Sequence, residues 1–165
     1  MADCNNIRTV GRSSTMSVAI QCVTEDPATS TLLPLGPITT KSFSIDGNTL
    51  EANDSFASSG FTETQLGTSS LSMSVSGNYV RDPSAYPNFV FINQLLVHRF
   101  NSVKQTLSQD PVILVKYIRP EVTLTAYMII TSINVEDPDS EYSTFTMELA
   151  NATSPEYPPT LVATA

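Results

Sequence analysis

The sequence is short of the side chains on which catalysis and metal binding depend. Its 165 residues include no Trp, one His and two Cys. No Ser or Cys nucleophile motif accompanies His98, which favours a helix-surface or partner-contact role for that residue over a catalytic one. Cys4 and Cys22 are too far apart for the C-x2-C pair of a zinc site, and no glycine spacing suits a phosphate loop. We therefore predict that the protein is not an enzyme and has no catalytic residue, cofactor or metal.

Long hydrophobic runs are also absent. The longest, such as Pro111 to Val115 and Tyr127 to Ile130, fall far short of the ~20 apolar residues that cross a bilayer. The start of the chain, Met1 to Asn6, has neither the cationic start nor the apolar stretch of a secretory signal. We expect no membrane partner and a cytoplasmic chain in which Cys4 and Cys22 are free thiols.

Positive charge is scarce. Sixteen acids against eight dispersed bases give a formal charge of −8. Because proteins bind DNA mainly by neutralising phosphates with Lys and Arg, this balance disfavours nucleic-acid binding and suits a surface that repels DNA. Sixteen acids always offer carboxylate pairs for glycoside chemistry, but a sugar platform would have to be built without Trp. From Glu136 to Glu141 the acids cluster, and a solvated turn is favoured there over a calcium loop because the EF-hand glycine and terminal Glu are missing.

Alternation of apolar and polar residues predicts six strands, and the short links between the last three indicate that these are antiparallel. The phase of alternation slips after Ile130, so we expect a β-bulge near Thr131-Ser132. The turn pair Asp46-Gly47 is expected to end the second strand. The predicted strands are Met16 to Thr24, Thr39 to Ile45, Ser70 to Ser76, Val112 to Arg119, Val122 to Val135 and Tyr142 to Leu149.

One segment changes period and predicts the helix. Apolar residues there recur at steps of three and four, Pro87 suits the first turn, and Asp110-Pro111 ends the pattern. We expect this stripe to pack on the sheet, with Leu96→Asp costing several kcal/mol. Its members are Phe89, Ile92, Leu96, Phe100, Val103 and Leu107.

Three segments read as arms or loops. Residues 1–15 form an N-terminal arm, and the tail 151–165, with its prolines, is expected to run extended along a surface. The polar segment 48–70 is unusually long for a loop and carries Phe56 and Phe61. Two interpretations stay open, in which these rings either dock on a neighbouring subunit or tuck under their own domain. We predict the first for the loop from about Glu51 to Gly67.

Together these patterns predict a mainly β protein of one domain, 1–165. Its length is enough to bury roughly 70% of the surface that the unfolded chain exposes. The fold class is an antiparallel β-sandwich or barrel with one flanking α-helix and long loops.

Two adjoining segments carry a family resemblance. Phe61 to Gly67 is a polar loop with an aromatic, an acid and a glycine, and Ser70 to Pro83 is a Ser-rich strand that ends in Gly and an acidic turn. A helix, a strand and a long strand ending in Ile-Thr-Ser-Ile follow in order. This arrangement, from about Thr39 to Leu149, resembles the major tail proteins of siphophage-type tails.

The resemblance implies a structural subunit of the virion tail. It implies six copies per ring and stacked rings that form a hollow tube, assembled in the host cytoplasm, through which DNA passes without specific binding. Expected partners are further copies of the chain, a terminator, a tape measure and, if the tail is contractile, a sheath, since contractile-tail and secretion tubes share the architecture. Combined with the acidic balance, it makes Asp46 and Glu51 candidate lumen acids. Candidates for the inter-subunit loop are Glu51, Phe56, Phe61 and Glu63.

A competing class is a secreted or surface β-sandwich binding module, such as an adhesin or a pilin-like subunit. It would share the Ser/Thr-rich strands and the acidic composition. The missing signal sequence and the predicted helix count against it.

Overall fold

A computed structural model describes residues 14–52, 63–80, 86–104, 111–139, 141–152, 154 and 156–163. The described part contains eight β-strands and a single α-helix, which confirms the predicted mainly β class. Their bounds are β1 Thr15–Ala19, β2 Leu33–Pro34, β3 Ile38–Ala52, β4 Glu63–Asn78, α1 Ile92–Lys104, β5 Val112–Ile118, β6 Val122–Glu136, β7 Thr144–Asn151 and β8 Thr160–Ala163.

The strands form one antiparallel sheet that curls into a sandwich. Their order is β2-β1-β5-β6-β7-β4-β3, and β8 pairs with β6 above the end of β7. The sheet's two ends meet: the ring of Phe43 in β3 lies edge-on to that of Tyr117 in β5, with centroids 5.8 Å apart. In addition, the ammonium of Lys41 in β3 donates to the carbonyl of Ser14 beside β1. The predicted sandwich or barrel is thereby confirmed.

The main core lies between the two walls of the sandwich. In β4, Leu71, Met73 and Val75 are buried while the serines between them face outward. Strand β7 repeats this pattern, with Phe145 and Leu149 among its buried residues. Alternation of this kind is what an antiparallel sheet with one covered face requires.

A second, smaller core covers the outer surface of β1, β5 and the first half of β6. Leu114 and Tyr127 are almost completely buried there, against partly buried Val23, Leu32 and Tyr157. The segment after β1 and the tail after β7 supply this cover. Strand β1 therefore ends at Ala19, earlier than predicted, and the tail also differs from prediction because it returns to the sheet as β8.

The predicted bulge is confirmed. The register between β6 and β7 shifts between Ile130 and Ser132, which leaves Thr131 as the extra residue. Its hydroxyl donates to the carbonyl of Glu148 at 2.9 Å.

The predicted turn at Asp46-Gly47 is wrong. Asp46 pairs with Ser70 and Gly47 with Ser69, so β3 and β4 form a long hairpin. A register shift between Gly47 and Thr49 accommodates the turn-prone pair within the ladder. Of the predicted loop 48–70, residues 48–52 and 63–70 are therefore strand, and 53–62 lie outside the described residues.

The predicted orientation of the helix is also wrong. Leu95 is fully buried, whereas the side chains of Leu96, Phe100 and Val103 are 39%, 65% and 67% exposed. Backbone hydrogen bonds join Val90 to the segment 34–36 and fix the direction in which the chain enters the helix. The rotation of the helix about its axis is set in this way, and it turns Leu95 toward the core. Two neighbouring helix faces are apolar, so spacing alone could not select between them.

Other predictions for this part of the chain have mixed outcomes. Phe89 is 40% exposed, Ile92 is buried as expected, and Leu107 lies outside the described residues. The ring of His98 reaches the strand end, with Nε2 3.1 Å from the carbonyl oxygen of Val112. The exposed thiol of Cys22 is free, and Cys4 lies outside the described residues.

Gly77 marks a close crossing of chain segments. A Cβ atom added there would lie 2.1 Å from the carbonyl oxygen of Pro37. The amide of Asn78 also donates to that oxygen at 3.1 Å. Glycine is therefore required where the link between β2 and β3 passes over the end of β4.

Within the described residues, no helix is both long and apolar enough to span a membrane. The same residues contain no cluster of three or more potential metal ligands among His, Cys, Asp and Glu.

Candidate functional site

The candidate site is a polar surface that we call the hydroxyl face. It is the outer side of β3, β4, β7 and the second half of β6, opposite the buried core residues of the same strands. Every member is exposed or half-buried. The face consists of Thr40, Ser42, Ser44, Asp46, Ser70, Ser72, Ser74, Ser76, Ser132, Asn134, Glu136, Thr144, Thr146 and Glu148.

Hydrogen bonds between side chains cross the strands of this face. The hydroxyls of Ser44 and Ser72 are 2.8 Å apart, and that of Ser44 also donates to Oδ2 of Asp46 at 3.2 Å. From β4, the hydroxyl of Ser74 donates to Oε1 of Glu148 in β7 at 2.7 Å. Such cross-strand pairs help to fix the pairing of the strands and the positions of the carboxylates.

All charge on the hydroxyl face has one sign. It carries three acids, Asp46, Glu136 and Glu148, and the residues that compose it include no Lys, Arg or aromatic. The nearest base along β3, Lys41, points to the opposite side, where it bonds to Ser14. The face is therefore wettable, repels phosphate, and lacks both the cations and the stacking platforms that hold nucleic acid.

The four strands beneath the hydroxyl face have two open edges. Among the described residues, β3 pairs with β4 alone, and β6 beyond Thr131 pairs with β7 alone. The pairing of β5 with β6 ends at Ile129. One further hydrogen bond, from the amide of Ile130 to the carbonyl of Pro111 just before β5, joins the two segments there. Unpaired edges of this length are ready to pair with another chain.

The sequence-predicted residues fall in different places. Asp46 lies on the hydroxyl face. Glu51 and Glu63 lie in the β3–β4 hairpin, where they pair with Thr64 and Ala52. Phe56 and Phe61 are outside the described residues.

Sequence reasoning missed two acids of the face, Glu136 and Glu148. A signal for Glu148 was present: the alternation around Phe145, Met147 and Leu149 puts it opposite the core, like the serines of β4. For Glu136 the signal was weaker, because its side depends on the bulge at Thr131.

Two groups away from the hydroxyl face have shifted pKa values. Burial lowers the pKa of the Lys41 ammonium by removing water from its charged form. Burial likewise raises the pKa of the Tyr127 phenol, and the neighbouring Glu25 adds to this while the hydrogen bond from Gln21 opposes it. Neither group contributes charge to the hydroxyl face.

Comparison with known proteins finds likeness only in structure. No protein-family model matches the sequence, and no curated protein matches it. Two of the similar structures come from gene transfer agent particles: the virion of the native particle and the tail of the empty particle. Each has a TM-score of 0.64 and covers 96% of this chain and 100% of the other, at 16% and 14% identity.

A third similar structure is the SPP1 tail tube. It has a TM-score of 0.62 at 11% identity, and the match covers 95% of this chain and 80% of the other. The chain has the tail-tube fold. The resemblance seen in the sequence is thus confirmed at the level of the fold, and the tail-tube fold here includes the sheet that bears the hydroxyl face.

Proposed function

We propose that this chain is a structural subunit of a phage-type tail tube. Six copies form a ring, the rings stack, and the hydroxyl face lines a bore that conducts DNA. The observation that carries the proposal is one sheet that combines three properties within the described part of the chain: an uncovered polar face, acids without bases, and two open edges. The tail-tube fold supports it, since one similar structure was refined with C6 symmetry.

The open edges account for the ring. If the edge of β3 in one copy adjoins the edge of β6 in the next, six copies of four strands close a barrel and remove both edges. At about 4.8 Å between strands, 24 strands give a circumference of about 115 Å and a diameter of about 37 Å, more where the strands tilt. Such a bore leaves room for duplex DNA inside the side chains.

The acids account for free passage. Six copies of Asp46, Glu136 and Glu148 line each ring, and their repulsion acts over a screening length of about 8 Å at physiological salt. DNA near the wall is pushed back and finds no cation to bind. The wall therefore guides DNA without holding it.

The remaining parts of the proposal concern partners and place. The end of the β3–β4 hairpin, including Glu51 and Glu63, contacts an adjacent subunit. The assembled tube belongs to a virion tail built in the host cytoplasm, with a terminator and a tape measure as further partners and a sheath if the tail is contractile. It performs no catalysis and carries no cofactor.

Electron microscopy of the purified protein tests this function. We expect rings or tubes with sixfold symmetry and an open bore. A chain that stays monomeric at high concentration would contradict the proposal and favour a β-sandwich binding module. A ring of another symmetry would retain a tube but reject the hexamer.

A further inference from the structure

Among the described residues, nothing covers one apolar surface of the helix. Leu96, Phe100 and Val103 lie at steps of four and three on α1 and are 39%, 65% and 67% exposed. We call these three residues the helix stripe. A stripe of large apolar side chains in water is unfavourable in a monomer and is typical of a contact surface.

A second apolar surface is concave. A cavity of ≈ 350 Å³ opens between β8 and the β3–β4 hairpin, and we call it the end notch. Exposed Ile45 and Leu161 flank it, and core residues Leu71 and Leu124 form part of its lining. The other lining residues are uncharged: Ser69, Ser70, Asn151, Pro159 and Thr160.

The end notch occupies a place where the sheet divides. Strand β7 lies between β6 and β4 as far as the pairing of Ser72 with Ala150. Beyond that level β8 takes its place beside β6 but, among the described residues, pairs with no other strand. The side of β8 that faces the hairpin is therefore unpaired, and the core residues Leu71 and Leu124 line the gap between them.

The helix stripe and the end notch lie toward opposite ends of β5. His98, in the middle of the helix, contacts the carbonyl of Val112 at the first residue of β5. The notch residue Leu124 pairs with Tyr117, five residues further along that strand. Five residues of strand span about 17 Å, so the helix of a chain does not reach its own notch.

We infer that the helix stripe of one copy packs into the end notch of a second copy. One surface is convex and the other concave, both are apolar, and the notch lining contains no charged side chain that would have to lose its water. A contact between two different surfaces at opposite ends repeats from copy to copy, as a stacked assembly requires. The inference rests on the proposed tube, for which it supplies a contact between successive subunits.

Cysteine cross-linking between two variants tests the contact. Both carry Cys4→Ser and Cys22→Ser; one adds Val103→Cys and the other Leu161→Cys. We expect cross-linked dimers when the two are mixed under assembly conditions and none from either variant alone. The control replaces Leu161→Cys by Tyr142→Cys, an 87% exposed residue in the link between β6 and β7.

The outcomes separate this inference from the proposed function. Rings or tubes without the Val103–Leu161 cross-link would overturn the contact and leave the tube standing. Dimers formed by one variant alone, or equally with Tyr142→Cys, would also overturn it. Absence of any assembly by the unmodified chain would reject the tube, and the contact with it.

A second measurement guards against the helix stripe being covered by its own chain. Phe100→Ser should shorten or abolish tubes while leaving the melting temperature of the monomer within about 2 °C, since the ring is exposed. Tyr142→Ser is the matched control and should leave tube length unchanged. A fall of several degrees in the monomer with Phe100→Ser would mean that an intramolecular contact covers the ring, which would overturn the inference.

Discussion

The two outer surfaces of the sheet contrast sharply in what covers them. On β1, β5 and the first half of β6, the outer residues include Leu114 and Tyr127 and lie beneath a second apolar layer. On β3, β4, β7 and the second half of β6, the outer residues are mainly hydroxyls and acids, and β3 and β6 each have an edge that no other described strand pairs with. The chain itself thus buries the outer surface of one half of the sheet, whereas the described residues leave the outer surface of the other half exposed to solvent.

Sequence pattern follows the same division. Strand β5 begins with four successive buried apolar residues, Val112 to Val115, because both of its faces are covered. Strand β4 alternates apolar residues with serine because one face is wet. The number of apolar faces on a strand therefore reports how many layers pack on it.

The largest expected effect comes from placing a charge on each outer surface. Leu114→Asp buries an unpaired carboxylate and should reduce the free energy of unfolding by at least about 4 kcal/mol, enough to prevent folding in a marginal protein. Ser42→Asp, at an exposed outer position of β3, should change it by no more than about 0.5 kcal/mol. Urea denaturation measures both, and equal losses would show that the two surfaces are not differently covered.

Adjacent positions on the helix sharpen the comparison of covered and uncovered surfaces. Leu95→Ala removes a fully buried side chain and should cost about 2–5 kcal/mol. Leu96→Ala, at a 39% exposed position, should cost less than about 1 kcal/mol in the monomer. Thermal or urea denaturation measures both losses. A larger loss for Leu96→Ala than for Leu95→Ala would support the helix orientation that the spacing of apolar residues predicted.

Charge reversal on the hydroxyl face should change DNA binding more than stability. Assembled tubes with Asp46→Lys and Glu148→Lys should bind double-stranded DNA at least about tenfold more tightly at about 50 mM salt, and the gain should fall as salt rises. A control reverses Glu25 and Glu156, exposed acids beside the covered half. Fluorescence anisotropy with labelled DNA measures both, and an equal gain in the control would mean that the hydroxyl face does not line the bore.

The smallest expected effect concerns a hydrogen bond within the covered half. Nε2 of Gln21 donates to the Tyr127 hydroxyl at 2.7 Å, and that hydroxyl donates to the carbonyl of Glu25. Tyr127→Phe should therefore cost about 1 kcal/mol at neutral pH.

The same residue predicts an alkaline pH dependence. The pKa of Tyr127 is raised in the folded state. As pH rises above 10.0, the Tyr127 phenol therefore loses its proton in the unfolded chain before it does so in the folded chain. The stability of the unmodified protein should then fall through that range, and Tyr127→Phe should remove this part of the fall. If Tyr127→Phe left the slope of the unfolding free energy against pH unchanged above pH 10.0, the loss of stability in alkali would come from other groups.

Much of the fold could be predicted because strands and bulge depend on local alternation. Residues such as Met73 and Phe145 mark the core side by their spacing, and the phase slip around Thr131 is visible in the sequence. The helix existed where its period indicated, but its orientation depended on bonds between Val90 and a distant segment. Periodicity carries no information about such contacts when two helix faces are apolar.

The candidate site was harder to predict because it is a surface assembled from four strands. Asp46 could be selected from sequence, but its neighbours could not be grouped without the registers that place Ser72 beside Ser44 and Ala150. The extension of β3 past Asp46-Gly47 was hidden by a dipeptide with strong turn preference. Pairing across the long hairpin outweighed that local preference.

The single extra residue at Thr131 shifts by one residue the alternation of inward and outward side chains along β6. Before it, β6 directs Met128 and Ile130 to the core; after it, Ile133 and Val135 take that side. Deleting Thr131 would restore regular alternation and keep Ile133 and Val135 inward and Glu136 outward, whereas pairing of the intact chain without the bulge would reverse all three. A substitution in this stretch changes one side chain, whereas one further residue inserted after Thr131 without a second bulge would exchange the hydroxyl-face and core sides of the rest of β6.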